Sequence, residues 1–223
     1  MASEKTALIA GATGLVGSYL LRLLLQSNYY GKVIAIGRRP LPFQDPKLEQ
    51  KIVDFNALEN LSELKADHVF CCLGTTMKKA GSKENFYRVD HTYVVNMAKA
   101  ASRNPGTQFL VISSMGANKN SAFFYNRVKG EMEADVAQFP LAAVHIFRPS
   151  LLTGNRPETR FGEKIGETLM RILKPIMVGP LRKFRAIPAA VVAKAMLQKA
   201  NENARGIYVY QSDEIARSQP GAR

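Results

Sequence analysis

A tyrosine and a lysine four residues apart form the pair in this sequence best suited to acid–base chemistry. Tyr125 and Lys129 stand in the stretch YNRVK, and on a helix this spacing places both side chains on one face. A free tyrosine has a pKa near ~10 and exchanges protons poorly at neutral pH. An adjacent ammonium stabilises the phenolate, so Lys129 is expected to lower the pKa of Tyr125. Tyr125 can then give or take a proton while a hydride moves to or from a carbonyl carbon.

Two serines upstream of that pair could act on the same substrate. Ser113 and Ser114 end the apolar segment QFLVISS. In open parallel sheets, ligands bind beyond the carboxyl ends of the strands. A serine hydroxyl placed there can polarise a substrate carbonyl, and the sequence leaves open which of the two serves.

A glycine-rich turn near the start of the chain is suited to hold a pyrophosphate. Gly11, Gly14 and Gly17 (GATGLVG) follow an apolar strand and open a helical pattern. Gly11 permits the tight turn, Gly14 lets the backbone approach the pyrophosphate, and Gly17 allows close packing of helix against strand. Free backbone N–H groups and the positive end of the helix dipole then face the phosphates. The turn therefore predicts a dinucleotide site.

The end of the second strand indicates which dinucleotide would bind. Sites for NAD usually carry an acid about 20 residues beyond the glycines, which holds the ribose 2′-hydroxyl. Here the strand ends in Arg38 and Arg39 instead. Because a guanidinium matches the charge and geometry of a 2′-phosphate, these arginines predict NADPH rather than NADH. Asp54, the last residue of the third strand, either contacts the adenine amino group or caps the next helix.

Strands and helices alternate along the chain, and this order must bring the groups above together. The predicted strands lie at residues 6–10, 32–37, 50–54, 68–73, 108–113, 142–147 and 206–210. The predicted helices lie at residues 15–26, 56–63, 84–102, 122–138, 160–173 and 189–200. Strands that are apolar almost throughout are typical of a parallel sheet buried on both faces. The pattern therefore predicts an α/β fold with helices on both faces of the sheet.

The 223 residues are expected to form a single domain. Residues 1–154 are interpreted as a nucleotide-binding core and residues 155–188 as a short insertion on the substrate side. A final helix and strand follow at 189–210, and 211–223 is interpreted as a loose tail.

Charge and cysteine content restrict the partners that need to be considered. The chain has 31 Lys+Arg and 18 Asp+Glu, a net charge of +13, which could attract nucleic acid. No zinc-finger or repeat pattern accompanies the charge, so a solvated basic surface is favoured. No apolar segment reaches the ~18 residues of a membrane span, and no secretory signal is recognised. The adjacent Cys71 and Cys72 exclude a disulfide framework, and a cytoplasmic protein is expected.

Taken together, these motifs resemble the short-chain dehydrogenase/reductase superfamily. The glycine turn and the YxxxK motif indicate the superfamily only. FCCLGTT (70–76), ISSMGA (112–117) and YNRVKGE (125–131) more closely resemble its atypical branch of HIV Tat-interacting protein-like oxidoreductases, of which a bacterial member is expected. The resemblance implies a Rossmann-like, doubly wound single domain that binds NADPH.

The resemblance also implies roles for individual residues. The catalytic triad falls on Ser114, Tyr125 and Lys129, and Lys129 also binds the nicotinamide ribose. The remaining implied cofactor contacts are Gly11, Thr13, Gly14, Leu15 and Val16 at the pyrophosphate, Arg38 and Arg39 at the 2′-phosphate, Asp54 and Phe55 at the adenine, Leu73, Gly74 and Thr75 after the fourth strand, and Pro149, Ser150 and Leu151 near the nicotinamide.

Two departures from the superfamily pattern concern the proton relay. Asp90 stands where an asparagine is usual, which allows a carboxylate to change or replace that part of the relay. Ser114 lies 11 residues before Tyr125, closer than in conventional members, so Ser113 remains an alternative.

The expected function is that of an NADPH-dependent oxidoreductase acting on a small carbonyl or alcohol. An NADPH-binding redox sensor or regulatory protein without turnover is the alternative. Monomer and homodimer remain open, and no metal site is predicted because the histidines lack metal-ligand spacing.

Overall fold

The short apolar segments of the sequence form the strands of a parallel sheet. The computed structural model of the protein describes residues 4–58, 65–154 and 184–218. The strands, in chain order, are β1 (Lys5–Ala10), β2 (Tyr30–Gly37), β3 (Leu48–Ile52), β4 (His68–Cys71), β5 (Gln108–Ile112), β6 (Ala143–Arg148), β7 (Leu152–Thr153), β8 (Ile187–Pro188) and β9 (Gly206–Gln211). Seven of them form one sheet in the order β3-β2-β1-β4-β5-β6-β9, and β7 pairs with β8. This order, 3-2-1-4-5-6 followed by β9, confirms the predicted Rossmann-like, doubly wound α/β domain.

Helices cover both faces of this sheet. They are α1 (Leu15–Gln26), α2 (Met77–Ala80), α3 (Lys83–Tyr87), α4 (Tyr93–Ala101), α5 (Phe124–Val136), α6 (Ala189–Ala200) and α7 (Ser212–Arg217). Successive side chains of a strand point to opposite faces. Accordingly, Ala7 and Ile9 of β1 pack with α1 and α6, whereas Leu8 and Ala10 pack with α4 and α5. The near-continuous apolar strands thus supply two cores.

The two adjacent cysteines divide between these cores, because successive side chains of a strand point to opposite faces. Cys71 is buried on the side of α4 and α5, and Cys72 packs on the side of α1 and α6. Burial raises the pKa of Cys71 to about 12 and also raises the pKa of Cys72. Both side chains are free thiols, and at neutral pH they stay protonated.

The helical segment predicted at 84–102 is interrupted. After α3, residues Arg88–Thr92 form a π-helical turn before α4 continues. Such wide turns are rare and frequently occur at functional sites. The predicted helix at 160–173 lies outside the described residues, as does most of the one predicted at 56–63.

The interpretation of 211–223 as a loose tail is wrong for its first residues. Gln211 is the last residue of β9 and also caps α7, where its side chain and that of Glu214 form a reciprocal capping box. Ser212 and Ile215 are buried, Ile215 against the core beside α6. Ile215 anchors the segment SDEIAR to this core, and its burial depends on tertiary contact with α6 rather than on a local pattern.

Buried and half-buried polar side chains of β2, β4, β5, β6 and β9 form a hydrogen-bonded row across the sheet. Tyr30 Oη lies 2.7 Å from His68 Nδ1, and His145 lies 3.0 Å from Gln108 Oε1 and 2.9 Å from Tyr210 Oη. His68 and His145 are almost completely inaccessible to solvent. Burial lowers the pKa of each histidine to about 4, so both are neutral at neutral pH.

Mild acid is therefore expected to destabilise the fold. Between pH 6.5 and about 4, the unfolded chain binds protons at His68 and His145 that the folded chain excludes, so stability falls as the pH falls. From pH 6.5 to about pH 5 the two histidines together would remove about 3 kcal/mol. Urea unfolding at a series of pH values measures the loss. The double variant His68→Asn/His145→Asn should lose this pH dependence, and an unchanged slope in that variant would refute the assignment.

Candidate functional site

The glycine turn brings three backbone segments into contact at the carboxyl edge of the sheet. Gly11 has φ 80°, a left-handed conformation that favours glycine, and its carbonyl accepts a hydrogen bond from the Gly14 N–H at 2.9 Å. A Cβ at Gly11 would lie 2.4 Å from the Cys72 carbonyl oxygen, and a Cβ at Gly17 would lie 2.1 Å from that of Gly11. The close approach of β1, β4 and α1 therefore requires both glycines.

The start of α1 is suited to receive an anion. Gly14 precedes the helix and has no side chain to cap it, and the first turn contains no acidic residue. The first N–H groups of a helix have no acceptor within it, and they attract phosphate groups. Thr13 is exposed and Leu15 half-buried, whereas the side chain of Val16 packs in the core and leaves its backbone as the group available to a ligand.

The residues predicted at the adenosine end lie after β2 and β3. Arg38 and Arg39 directly follow β2 and are exposed. Asp54 Oδ1 accepts hydrogen bonds from the backbone and side-chain nitrogens of Asn56 at 2.9 and 2.7 Å, and these bonds lower the pKa of Asp54. These bonds close a local turn from Asp54 to Asn56. The ring of Phe55 is buried and packs 5.5 Å from that of Tyr93.

The predicted catalytic lysine is buried in an ion pair. Lys129 Nζ lies 2.7 Å from Asp90 Oδ1, and the side chains are only 4% and 2% exposed. Burial alone lowers the pKa of Lys129, but Asp90, Tyr125 and the hydrogen bond to Asp90 raise it by more, so the net shift is upward. The ammonium is thus charged at neutral pH. Asp90 Oδ2 also accepts a hydrogen bond from the Thr75 N–H at 2.7 Å.

The predicted catalytic tyrosine is half-exposed and lies on the same helix as Lys129. Tyr125 is in the first turn of α5 and is 42% exposed, and its ring packs 5.7 Å from that of Phe86. A phenolate at Tyr125 raises the pKa of Lys129, which lies one turn further along the same helix. The helix therefore presents an accessible phenol beside a buried ammonium.

The two serines after β5 have different environments. Ser113 Oγ donates a hydrogen bond to Glu133 Oε1, and Glu133 is also bound by the Arg148 guanidinium. Ser114 Oγ is buried and has no hydrogen-bond partner among the described residues. A buried hydroxyl without a partner is costly unless a ligand or water binds it.

Glu133, Arg148 and Gly130 position α5 and were not identified from the sequence. Glu133 is almost completely buried, and Arg148 at the end of β6 binds it through two nitrogens. A Cβ at Gly130 would lie 2.1 Å from the Lys119 backbone nitrogen, so the helix can approach that loop only at a glycine. The spacing of Glu133 four residues after Lys129 was the available signal, since it places both on one helix face.

The segment after β6 is occupied by structural contacts. Ser150 Oγ hydrogen-bonds to the Arg185 carbonyl and lies 2.9 Å from Ser212 Oγ. The carbonyl of Pro149 accepts from the Met115 N–H at 3.0 Å, and Leu151 is 41% exposed. After β4, Leu73 is half-buried and Gly74 exposed at the same edge as the glycine turn.

The part of the chain that the structure describes offers neither a metal cluster nor a helix fit to span a membrane. Residues 4–58, 65–154 and 184–218 contain no cluster of three or more His, Cys, Asp or Glu side chains arranged to hold a metal ion. None of the helices in those ranges combines the length and apolar character that a membrane span requires.

A cavity of about 430 Å³ beside Lys5, His68 and Gln108 lies at the amino edge of the sheet, opposite the glycine turn.

Solved structures that hold NAD or NADPH share this fold. MoeE5 in complex with UDP-glucose and NAD has a TM-score of 0.69 at 20% identity, covering 94% of this chain and 79% of that one. The human epimerase family protein SDR39U1 with NADPH has a TM-score of 0.64 at 15% identity, covering 92% and 74%. At these identities the likeness concerns the fold.

Curated relatives are more similar in sequence. Protein HTATIP2 of Rattus norvegicus is 37% identical over 199 residues, covering 87% of this chain and 80% of the relative. The mitochondrial protein FMP52 of Candida glabrata is 36% identical over 211 residues, covering 90% and 89%. Several other fungal relatives are also named mitochondrial proteins, which contradicts the expectation of a cytoplasmic protein. The expectation rested on cysteine content and on the lack of a recognised secretory signal, and neither of these features reports a mitochondrial address.

The family model that matches is described as the NAD dependent epimerase/dehydratase family and covers residues 7–132, from β1 into α5. This range contains the glycine turn, both serines, Asp90, Tyr125 and Lys129. The fold is shared with structures that hold NAD or NADPH, and the match to HTATIP2 covers 87% of the chain. The chain therefore belongs to the NAD dependent epimerase/dehydratase family, as an atypical short-chain dehydrogenase/reductase of the HTATIP2 branch.

Proposed function

We propose that the protein is an NADPH-dependent oxidoreductase that acts on a small carbonyl compound or alcohol. The observation that carries the proposal is the Lys129–Asp90 ion pair, in which Asp90 also accepts a hydrogen bond from the Thr75 N–H. It connects the helix of Tyr125 to the loop after β4, next to the glycine turn. Acid–base groups and a phosphate-binding turn thus share one edge of the sheet.

The residues at this edge fit a bound dinucleotide. The uncapped start of α1 and the glycines at 11, 14 and 17 leave room and N–H groups for a pyrophosphate. The other proposed contacts are those named from the sequence: Thr13, Leu15, Val16, Arg38, Arg39, Asp54, Phe55, Leu73, Gly74, Thr75, Pro149, Ser150 and Leu151. The nicotinamide, when bound, supplies or accepts the hydride.

Tyr125 is proposed to give a proton to the carbonyl oxygen in reduction and to take it back in oxidation. Lys129 stabilises the phenolate form by its charge and binds the nicotinamide ribose. Ser114 is proposed to hydrogen-bond the carbonyl oxygen, because its buried hydroxyl is free among the described residues while that of Ser113 binds Glu133.

Arg38 and Arg39 support NADPH over NADH. Both are exposed at the end of β2, where a 2′-phosphate would find two guanidinium groups. Solved structures of this fold hold either cofactor, since SDR39U1 is described with NADPH and MoeE5 with NAD.

Calorimetric titration with NADPH and NADH tests this proposal. We expect the wild-type protein to bind NADPH more tightly, and Arg38→Ala to weaken NADPH binding about 10- to 100-fold, the value of one charged hydrogen-bonded contact. NADH binding should hardly change. Arg103→Ala, which removes an exposed arginine after α4, is the matched control.

The outcomes separate cofactor choice from cofactor binding. If neither Arg38→Ala nor Arg39→Ala changes the ratio of NADPH to NADH affinity, the proposed preference for NADPH is wrong. If the wild-type protein binds neither nucleotide, the oxidoreductase proposal fails.

A further inference from the structure

A single buried carboxylate joins two parts of the site that lie on different elements. Asp90 is 1% exposed and uses both oxygens: Oδ2 accepts from the Thr75 N–H and Oδ1 binds the Lys129 ammonium, each at 2.7 Å. Thr75 belongs to the loop after β4, whereas Lys129 belongs to α5. A Cβ at Gly74 would lie 3.4 Å from Asp90 Oδ1, so this loop packs closely over the carboxylate.

The π-helical turn at Arg88–Thr92 places Asp90 in this position. The next residue, His91, is also directed toward α5, where Nε2 lies 2.9 Å from Asp135 Oδ2. Two consecutive side chains of the turn thus bind the helix that carries Tyr125. Asp90 reaches the buried lysine, whereas His91 reaches a carboxylate that is 46% exposed.

The ionisable groups that act on Lys129 come from three elements. Among the described residues they are Asp90 on the π turn, Tyr125 on α5 and Cys71 on β4. Burial raises the pKa of Cys71 to about 12, so the thiol is neutral around pH 7. The carboxylate of Asp90 is therefore the charge that compensates for the burial of the ammonium.

Building on the proposed function, we propose that Asp90 is a positioning residue that holds the Lys129 ammonium charged and aligned with the Thr75 loop, so that cofactor affinity does not depend on the protonation of this lysine. Asparagine has the same shape but no charge and only one acceptor oxygen. In Asp90→Asn, burial of Lys129 is no longer compensated. The lysine would then lose its proton as the pH rises, and with it a charged contact to the cofactor.

Calorimetry with NADP⁺ from about pH 5.5 to about pH 9.5 tests the inference. The ratio of the dissociation constants of Asp90→Asn and wild type at each pH cancels the titration of the cofactor itself. We expect this ratio to rise about tenfold or more with pH, the effect of one lost charge-assisted hydrogen bond. A merely structural role would weaken binding equally at every pH.

Asp135→Asn is the matched control, because it removes a carboxylate that binds the same π turn but does not contact Lys129 in the described structure. Its ratio to wild type should stay within about twofold at all pH values, since this pair is half-exposed. The double variant Asp90→Asn/Lys129→Met leaves no buried charge unpaired and serves if Asp90→Asn alone does not fold. Its affinity should be weaker than that of wild type by a factor that does not change with pH.

Each result decides the inference. A ratio for Asp90→Asn that is constant with pH overturns it, as does a ratio for the double variant that rises with pH. A wild-type protein that binds no NADP⁺ overturns the proposed function itself, and is thereby distinguished from a failure of the Asp90 assignment alone.

Discussion

Replacing Tyr125 by phenylalanine is expected to lower turnover about 10³-fold, because general acid–base groups contribute ~10²- to 10⁴-fold. The substitution removes only the hydroxyl. The ring, which packs against Phe86, remains, and the Lys129–Asp90 ion pair is not touched. Affinity for NADPH should therefore stay close to that of wild type. NADPH consumption with a panel of small aldehydes and ketones gives the turnover, and calorimetry gives the affinity.

Tyr208→Phe is a suitable control for this variant. Tyr208 is 39% exposed, close to the 42% of Tyr125, but lies on the edge strand β9. Turnover of Tyr208→Phe should match that of wild type. Full turnover in Tyr125→Phe would show that another group moves the proton. A wild-type protein that binds NADPH but consumes none of it across the panel would favour the redox-sensor alternative.

The second large effect is expected from Gly17→Ala, which should abolish tight binding of any nicotinamide nucleotide. A Cβ at this position would lie 2.1 Å from the Gly11 carbonyl oxygen and 2.8 Å from its carbon, and backbone atoms cannot rotate away as a side chain can. Helix α1 must then move from the turn. Loss of about two phosphate contacts from backbone N–H groups weakens binding about 100-fold or more.

The same variant should lose stability. Alanine is the better helix former by about 1 kcal/mol, but overpacking against fixed backbone costs ~1–3 kcal/mol and outweighs it. Urea unfolding measures the difference. Gly106→Ala is the control, because its Cβ would meet only the Asn104 side chain, at 3.7 Å. Wild-type nucleotide affinity in Gly17→Ala would mean that the turn does not hold the pyrophosphate.

Local periodicity in the sequence was sufficient to predict the sheet and its coverings. Apolar runs such as that of β1 read as strands buried on both faces, and Ala7 and Leu8 indeed enter different cores. The glycines at 11 and 17 and the pair Tyr125 and Lys129 depend on spacing within a few residues, which the sequence displays directly. The polar segment after β9 was misjudged because its burial depends on contact with α6.

The sequence by itself determined the family, the α/β fold and the residue types available for nucleotide binding and proton transfer, because strand alternation, helix spacing and glycine turns are local properties. Only the tertiary structure decided which hydroxyl is free: Ser113 is bound by Glu133 on α5, which Arg148 on β6 holds. Only the tertiary structure decided that Asp90 pairs with Lys129, because 38 residues lie between them in the sequence. The π turn that carries Asp90 places its carboxylate beside the lysine. Such partners come from distant segments, and no local pattern records which of them will meet.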